Sequence, residues 1–196
     1  MAGSDADPKP TASEGDDPTA SASGEPFVRA IHVSPEAGEP MQGRERVEAV
    51  AGRGLRGDRY FAGEGTYSES ARDVPRELTL IEAETLETIE RESGIELPPG
   101  AHRRNVTTRG VALNHLVGER FRVGTAVCEG VELCEPCSYL EELLAVEGLH
   151  DALVHRGGLR AWIVESGEVA VGDGVTVSGG ADRDADASRS EVPDGP

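Results

Sequence analysis

The chain has 196 residues, with 19 Lys and Arg against 37 Asp and Glu, a formal net charge of −18. Such an excess of acid repels phosphate backbones and excludes an ordinary nucleic-acid binder. No run approaches the roughly 18 apolar residues of a transmembrane helix, the opening MAGSDADPKP lacks the basic and apolar regions of a secretory signal, and three cysteines are too few for a disulfide scaffold. A cytoplasmic protein with neither nucleic acid nor membrane as partner is expected.

Lysine occurs once, at Lys9, and every other basic residue is arginine. Acid excess with so little lysine fits a halophilic protein, whose carboxylates hold water at molar salt, where the Debye length is about 3 Å. Coding bias toward arginine accounts for the missing lysine but not for the surplus acid. Residues 1–26 have no large apolar side chain after Met1, and their six acids against Lys9 give −5; residues 179–196 give −3. Neither segment buries enough surface to offset its ordering entropy. Both are expected to be disordered acidic tails around one folded domain, residues 27–178, which carries −10 and every aromatic, cysteine and histidine.

In chain order, Phe27–Val33 alternates as a strand, and Arg46–Val50 is a second. Glu77–Ile81 is a third and runs into a helix over 82–92, with Ala83, Leu86, Ile89 and Ile95 as its stripe and Gly94 and Pro98–Pro99 as its end. Strands follow at Asn105–Thr108, Arg120–Val123, Ala126–Leu133, Leu159–Val164 and Val169–Val177, with a helix at Ser138–Val146. Glu165–Glu168 reads as a hairpin joining the last two runs, with Gly167 able to supply a positive φ, and Gly172–Asp173–Gly174 bends the final strand. Many short strands with few helices predict a mainly β fold, a small barrel with helices at its ends.

Cys134 and Cys137 form C-x-x-C. A zinc site needs a second pair or well-spaced histidines, and among His102, His115, His150 and His155 only the last two are loosely paired. A redox dithiol expects a βαβ context that the β-rich pattern lacks. A single reactive thiolate at Cys137 is the third chemistry: the helix that follows presents unsatisfied N–H groups and its dipole's positive end, which favour a thiolate suited to a soft metal or to carrying sulfur. Both cysteines could instead be buried small apolar groups, the reading that Cys128 receives. Three polar clusters remain: Gly54–Tyr60, His102–Asn105 with its two arginines, and Gly157–Arg160. The second could hold phosphate or carboxylate, but each alone also suits a solvated loop or an ordinary turn.

Taken together, GLRGDRYFAG, RELTLIEAETLE, RRNVTTRGVALNHLVGERFRVGTAVCEGVELCEPCSYLEEL and HRGGLRAWIVESGEVAVGDGV resemble the MOSC domain family, named for the C-terminal domain of molybdenum cofactor sulfurase, over about residues 27–178. The resemblance implies a MOSC-like β-barrel. It implies a cysteine late in the domain that ligates molybdenum, matched by Cys137, and an Arg-x-Asn segment lining the phosphate and pterin of the molybdenum cofactor, matched by Arg103 and Asn105 with Arg104 between. Family members often show a histidine after the first Gly-Asp, where Tyr60 stands near. The larger molybdenum enzymes of the family add an N-terminal β-barrel that 26 residues cannot supply, so a stand-alone member is expected. Pyridoxal phosphate is not expected as a cofactor, because a Schiff base needs a lysine and Lys9 lies in the tail. The expected function is handling of molybdenum cofactor or its sulfur through Cys137, as a molybdenum-dependent oxidoreductase or a sulfur-transfer protein with a donor or acceptor protein as partner. The alternative is a non-catalytic module that delivers a bound anion or cofactor.

Overall fold

The computed structural model describes residues 24–63, 77–136 and 138–177. The expected tails, apart from residues 24–26, therefore lie outside the described residues, as does Cys137. The elements in chain order are β1 (Phe27–Val33), β2 (Gln42–Arg44), β3 (Arg46–Val50), β4 (Gly54–Leu55), α1 (Arg59–Ala62), β5 (Leu78–Glu82), α2 (Ala83–Ser93), β6 (Val106–Arg109), a 3₁₀ turn at Leu113–Leu116, β7 (Arg120–Val123), β8 (Ala126–Leu133), α3 (Ser138–Leu144), α4 (Leu149–Leu153), β9 (Leu159–Glu165), β10 (Gly167–Ala170) and β11 (Val175–Val177). The fold is mainly β with a few short helices, as its period-2 runs predict.

Eight strands form one sheet in the order β11-β7-β8-β9-β5-β6-β1-β2, and β10-β3-β4 form a second. The one parallel strand pair among the described residues, β5 with β6, is joined through α2, because parallel neighbours need a long crossover. Between the sheets lies a core that includes Val47, Ala49, Leu80, Val106, Phe121, Cys128, Leu159 and Val169. A second cluster, with Ile81, Ile89, Leu140, Leu149 and Leu153, seats the helices on the outer face of the large sheet. Fully burying each such side chain contributes roughly 1.5–3 kcal/mol. Gly94, at φ +68, ends α2 where the sequence places its stop.

Two expectations need correction. The large sheet does not close into a barrel. It curls until β1 meets the turn before β11, through an isolated bridge between Phe27 and Gly174 and backbone bonds from Val28 to Asp173 and from Gly172 to Val28. The closing segment is a turn, with Gly172 at φ +91 and the Asp173 carboxylate accepting the Ala170 N–H, so it offers no ladder of extended residues. The hairpin after Leu159–Val164 also fails to form. β9 and β10 part at Ser166, and β10 pairs with β3, Val169 opposite Val47. Gly167 has no positive φ; a Cβ there would stand 2.4 Å from the Ala126 nitrogen, so close packing accounts for the glycine.

Candidate functional site

The structure brings the three polar clusters and Cys134 together at one end of the large sheet. Two buried side chains do most of this. The Arg104 guanidinium donates from Nε to the Gly157 carbonyl at 2.8 Å, from Nη1 to the His102 carbonyl at 3.0 Å and from Nη2 to the Cys134 carbonyl at 3.2 Å. It thus fastens the loop before β6 to the end of β8 and to the segment before β9. Gly157 makes this approach possible, since a Cβ there would lie 2.2 Å from the Cys134 oxygen. Asn105 uses both ends of its amide. Its Oδ1 accepts from the Thr79 N–H and hydroxyl, and its Nδ2 donates to the His32 carbonyl and to Asp58 Oδ2, each at 3.2 Å.

Asp58 completes this frame from the Gly54–Tyr60 cluster. It caps α1 through the Tyr60 N–H at 3.0 Å and accepts the Ser34 N–H at 3.0 Å. A buried carboxylate holding several donors is a rigid joint. Arg59 follows, with Nη1 3.7 Å from Asp58 and 4.0 Å from Met41 Sδ.

His102 is 3% exposed. Its Nδ1 accepts the Arg104 N–H at 3.1 Å, and its Nε2 lies 3.3 Å from the Thr107 hydroxyl. Burial, followed by the nearby Arg104 and His32, pushes its pKa down to about 3, so it is neutral at neutral pH. His32 meets it edge-on with ring centres 5.8 Å apart. The His32 Nδ1 is buried without a hydrogen-bond partner among the described residues, and burial lowers its pKa as well.

Arg103 faces the other way. Its backbone sits at φ +61, a left-handed conformation that costs a non-glycine residue roughly 1–2 kcal/mol. That conformation puts Arg103 on the wall of a cleft while Arg104 enters the interior. The cleft has a volume of about 300 Å³ and lies between the 38–41 segment, the 98–103 loop, and Leu143 and Leu144 of α3. The Arg103 guanidinium donates to the Glu39 carbonyl. Burial and then the neighbouring Arg59 lower its pKa, against the opposing pull of Tyr139, Asp58 and Tyr60. A partly desolvated guanidinium of this kind favours an anionic partner.

Of the candidate site residues read from the sequence that the structure describes, Arg103 lines the cleft; Arg104 and Asn105 are each 7% exposed and bonded within the protein. Cys134 is buried, and its carbonyl serves Arg104. Cys128 is buried in the core, with its thiol pushed up to about 12 by burial and then by Glu77. Cys137 lies outside the described residues, between Pro136 and α3, two residues from Glu135. That carboxylate accepts the His155 N–H at 3.0 Å and stands 3.1 Å from His155 Nδ1, which ties the C-x-x-C segment to the loop after α4. The backbone N–H of His155 is the largest influence holding Glu135 below the ordinary carboxylate range. No group of three or more His, Cys, Asp or Glu side chains able to hold a metal gathers among the described residues.

The sequence reading missed His32, Met41 and the 98–101 loop as parts of the site. Pro98–Pro99 signalled only the end of a helix, and nothing in FVRAIHV sets His32 apart from the other inward-facing residues of β1.

No curated protein matches this sequence. The structure is similar to the crystal structure of the YuaD protein from Bacillus subtilis, with a TM-score of 0.63 and 18% identity over 78% of this chain and 94% of that one. It is also similar to YiiM from Geobacillus stearothermophilus, with a TM-score of 0.59 and 16% identity over 79% of this chain and 75% of that one, and to YiiM from Escherichia coli, with a TM-score of 0.54 and 16% identity over 78% and 69%. At such identities the likeness is one of fold. The MOSC domain model matches residues 58–176, from the Asp58 joint through the C-x-x-C segment to β11 and more than half of the chain, and the chain belongs to the MOSC domain family.

Proposed function

We propose that this protein handles molybdenum cofactor or its sulfur, with Cys137 as the reacting sulfur and Arg103 as the residue that meets the anionic group. The observation that carries this reading is Arg104, whose guanidinium joins the Arg-Arg-Asn segment to the C-x-x-C segment and to Gly157. In this reading Arg104 and Asn105 act on the cofactor through the frame they build, and Arg103 makes the direct contact.

The side chains present fit such a group. Arg103 lines an open cleft, where burial and then the nearby Arg59 lower its pKa, and an anionic phosphate would meet its guanidinium with charge-assisted hydrogen bonds. A cysteine thiolate is a soft ligand suited to molybdenum and equally able to carry sulfur as a persulfide received from a donor protein. When bound, the cofactor supplies a redox-active metal; the chain supplies the thiolate, the cation and the rigid frame.

The test is elemental analysis and mass spectrometry of natively purified protein. Molybdenum with pterin supports the enzyme, and a persulfide on Cys137 supports the carrier. Cys137→Ser should abolish either loading, while Cys128→Ser, in the core, should retain it. Arg103→Ala should weaken binding of a phosphate-bearing pterin by about tenfold, the worth of one charge-assisted hydrogen bond. Full loading of Cys137→Ser would refute the assignment; absence of both molybdenum and sulfur would leave the delivery module as the better reading.

A further inference from the structure

The cleft beside Arg103 differs in chemistry from the frame behind it. Its walls are Pro40, Met41, Pro98 and Pro99 on one side and Leu143 and Leu144 on the other, and Arg103 is the one charged side chain among the described lining residues. The apolar walls suit an apolar ring, and Arg103 is placed to meet an anionic group at its edge.

We propose that this cleft binds a small aromatic carboxylate, its ring between the proline–methionine wall and Leu143 and its carboxylate on Arg103. A flat ring packs well on proline faces and makes favourable contacts with the Met41 sulfur. A guanidinium fork matches a carboxylate with two parallel hydrogen bonds. The volume of about 300 Å³ is at the small end of ligand pockets. The acidic surface, at −18 for the whole chain, repels a dianion more than a monoanion. The strained backbone of Arg103, at φ +61, is the kind of local cost found where a side chain must be aimed at a ligand. This site shares Arg103 with the proposed cofactor contact, so a bound cofactor would compete with the carboxylate there, but it does not depend on Cys137.

The experiment is a fluorescence titration of the full-length protein with 2-naphthoate and with its neutral counterpart 2-naphthalenemethanol. The naphthoate should bind saturably, and the alcohol about tenfold more weakly. Arg103→Ala should bring the two to equal affinity. Leu143→Glu, at an exposed position on the cleft wall, should weaken naphthoate binding by about tenfold or more, while Val177→Glu, another exposed apolar site away from the cleft, should leave it unchanged. Each variant must show the wild-type melting transition. Absence of saturable naphthoate binding, equal affinity of wild type for acid and alcohol, or an unaltered preference in Arg103→Ala would overturn the proposal. Molybdenum and persulfide content read on the same preparation keeps failure of this site distinct from failure of the cofactor reading.

Discussion

Arg103 and Arg104 are the same residue type at adjacent positions, yet they belong to different regions. Arg104 is sealed inside, with its guanidinium on three backbone carbonyls. Arg103 lines an apolar cleft, and among the described residues its guanidinium donates to the single carbonyl of Glu39. The backbone makes the difference: the left-handed φ at Arg103 turns one side chain outward and the next inward. Buried donors fully matched to acceptors give rigidity, whereas a partly desolvated cation gives affinity for an anion. The region that fixes the site is thus distinct from the region that would meet a ligand.

The largest effect that could break this comparison is on stability. Arg104→Ala leaves three buried carbonyls without their donor and should cost about 3 kcal/mol or more in urea denaturation. Arg104→Lys should recover little of it, because one ammonium group cannot reproduce a planar fork. Arg103→Ala should cost under about 0.5 kcal/mol, as a half-exposed position does. Equal losses at the two positions would remove the distinction between frame and cleft.

Acid sharpens it next. His102 has a folded pKa of about 3, while the unfolded chain titrates near its ordinary value of roughly 6.5. Between those values the unfolded state binds more protons, so stability falls as pH drops below about 6.5, by up to about 1.4 kcal/mol per pH unit. His32, also lowered by burial, acts in the same direction; Glu77, whose pKa is raised chiefly by burial, opposes them at the acid end. His102→Asn keeps an acceptor for the Arg104 N–H and should flatten the stability profile from pH 6.5 to 4. An unchanged slope would show that the frame does not depend on a neutral His102.

Salt and truncation should have the smallest effects. Screening relieves carboxylate repulsion in a domain carrying −10, so the melting temperature should climb by several degrees from low to molar KCl. Residues 27–178 alone should melt within a few degrees of the full chain in high salt, because the tails contribute charge without apolar surface. A flat salt response would leave arginine coding bias as the account of the composition, and loss of cooperative melting on truncation would move the domain boundaries.

What the sequence determined by itself is what depends on local pattern. Period-2 runs place β1, β3, β7 and β8 as Phe27–Val33, Arg46–Val50, Arg120–Val123 and Ala126–Leu133. Gly94 stops α2, and the motifs carry the family. Tertiary structure alone decided what depends on partners far along the chain. Strand pairing is one such case: Gly167 reads as a hairpin residue until β3 arrives from more than a hundred positions away to pair with β10. Closure of the sheet is another, settled by the turn at Gly172–Asp173–Gly174 against β1. The roles within His102–Arg103–Arg104–Asn105 are a third. Composition and spacing treat the two arginines alike, and only the carbonyls of Cys134 and Gly157, brought within reach by the fold, make one of them part of the interior. A hydrogen-bonding side chain takes its role from the partners that surround it, and those partners are assembled only when the chain folds.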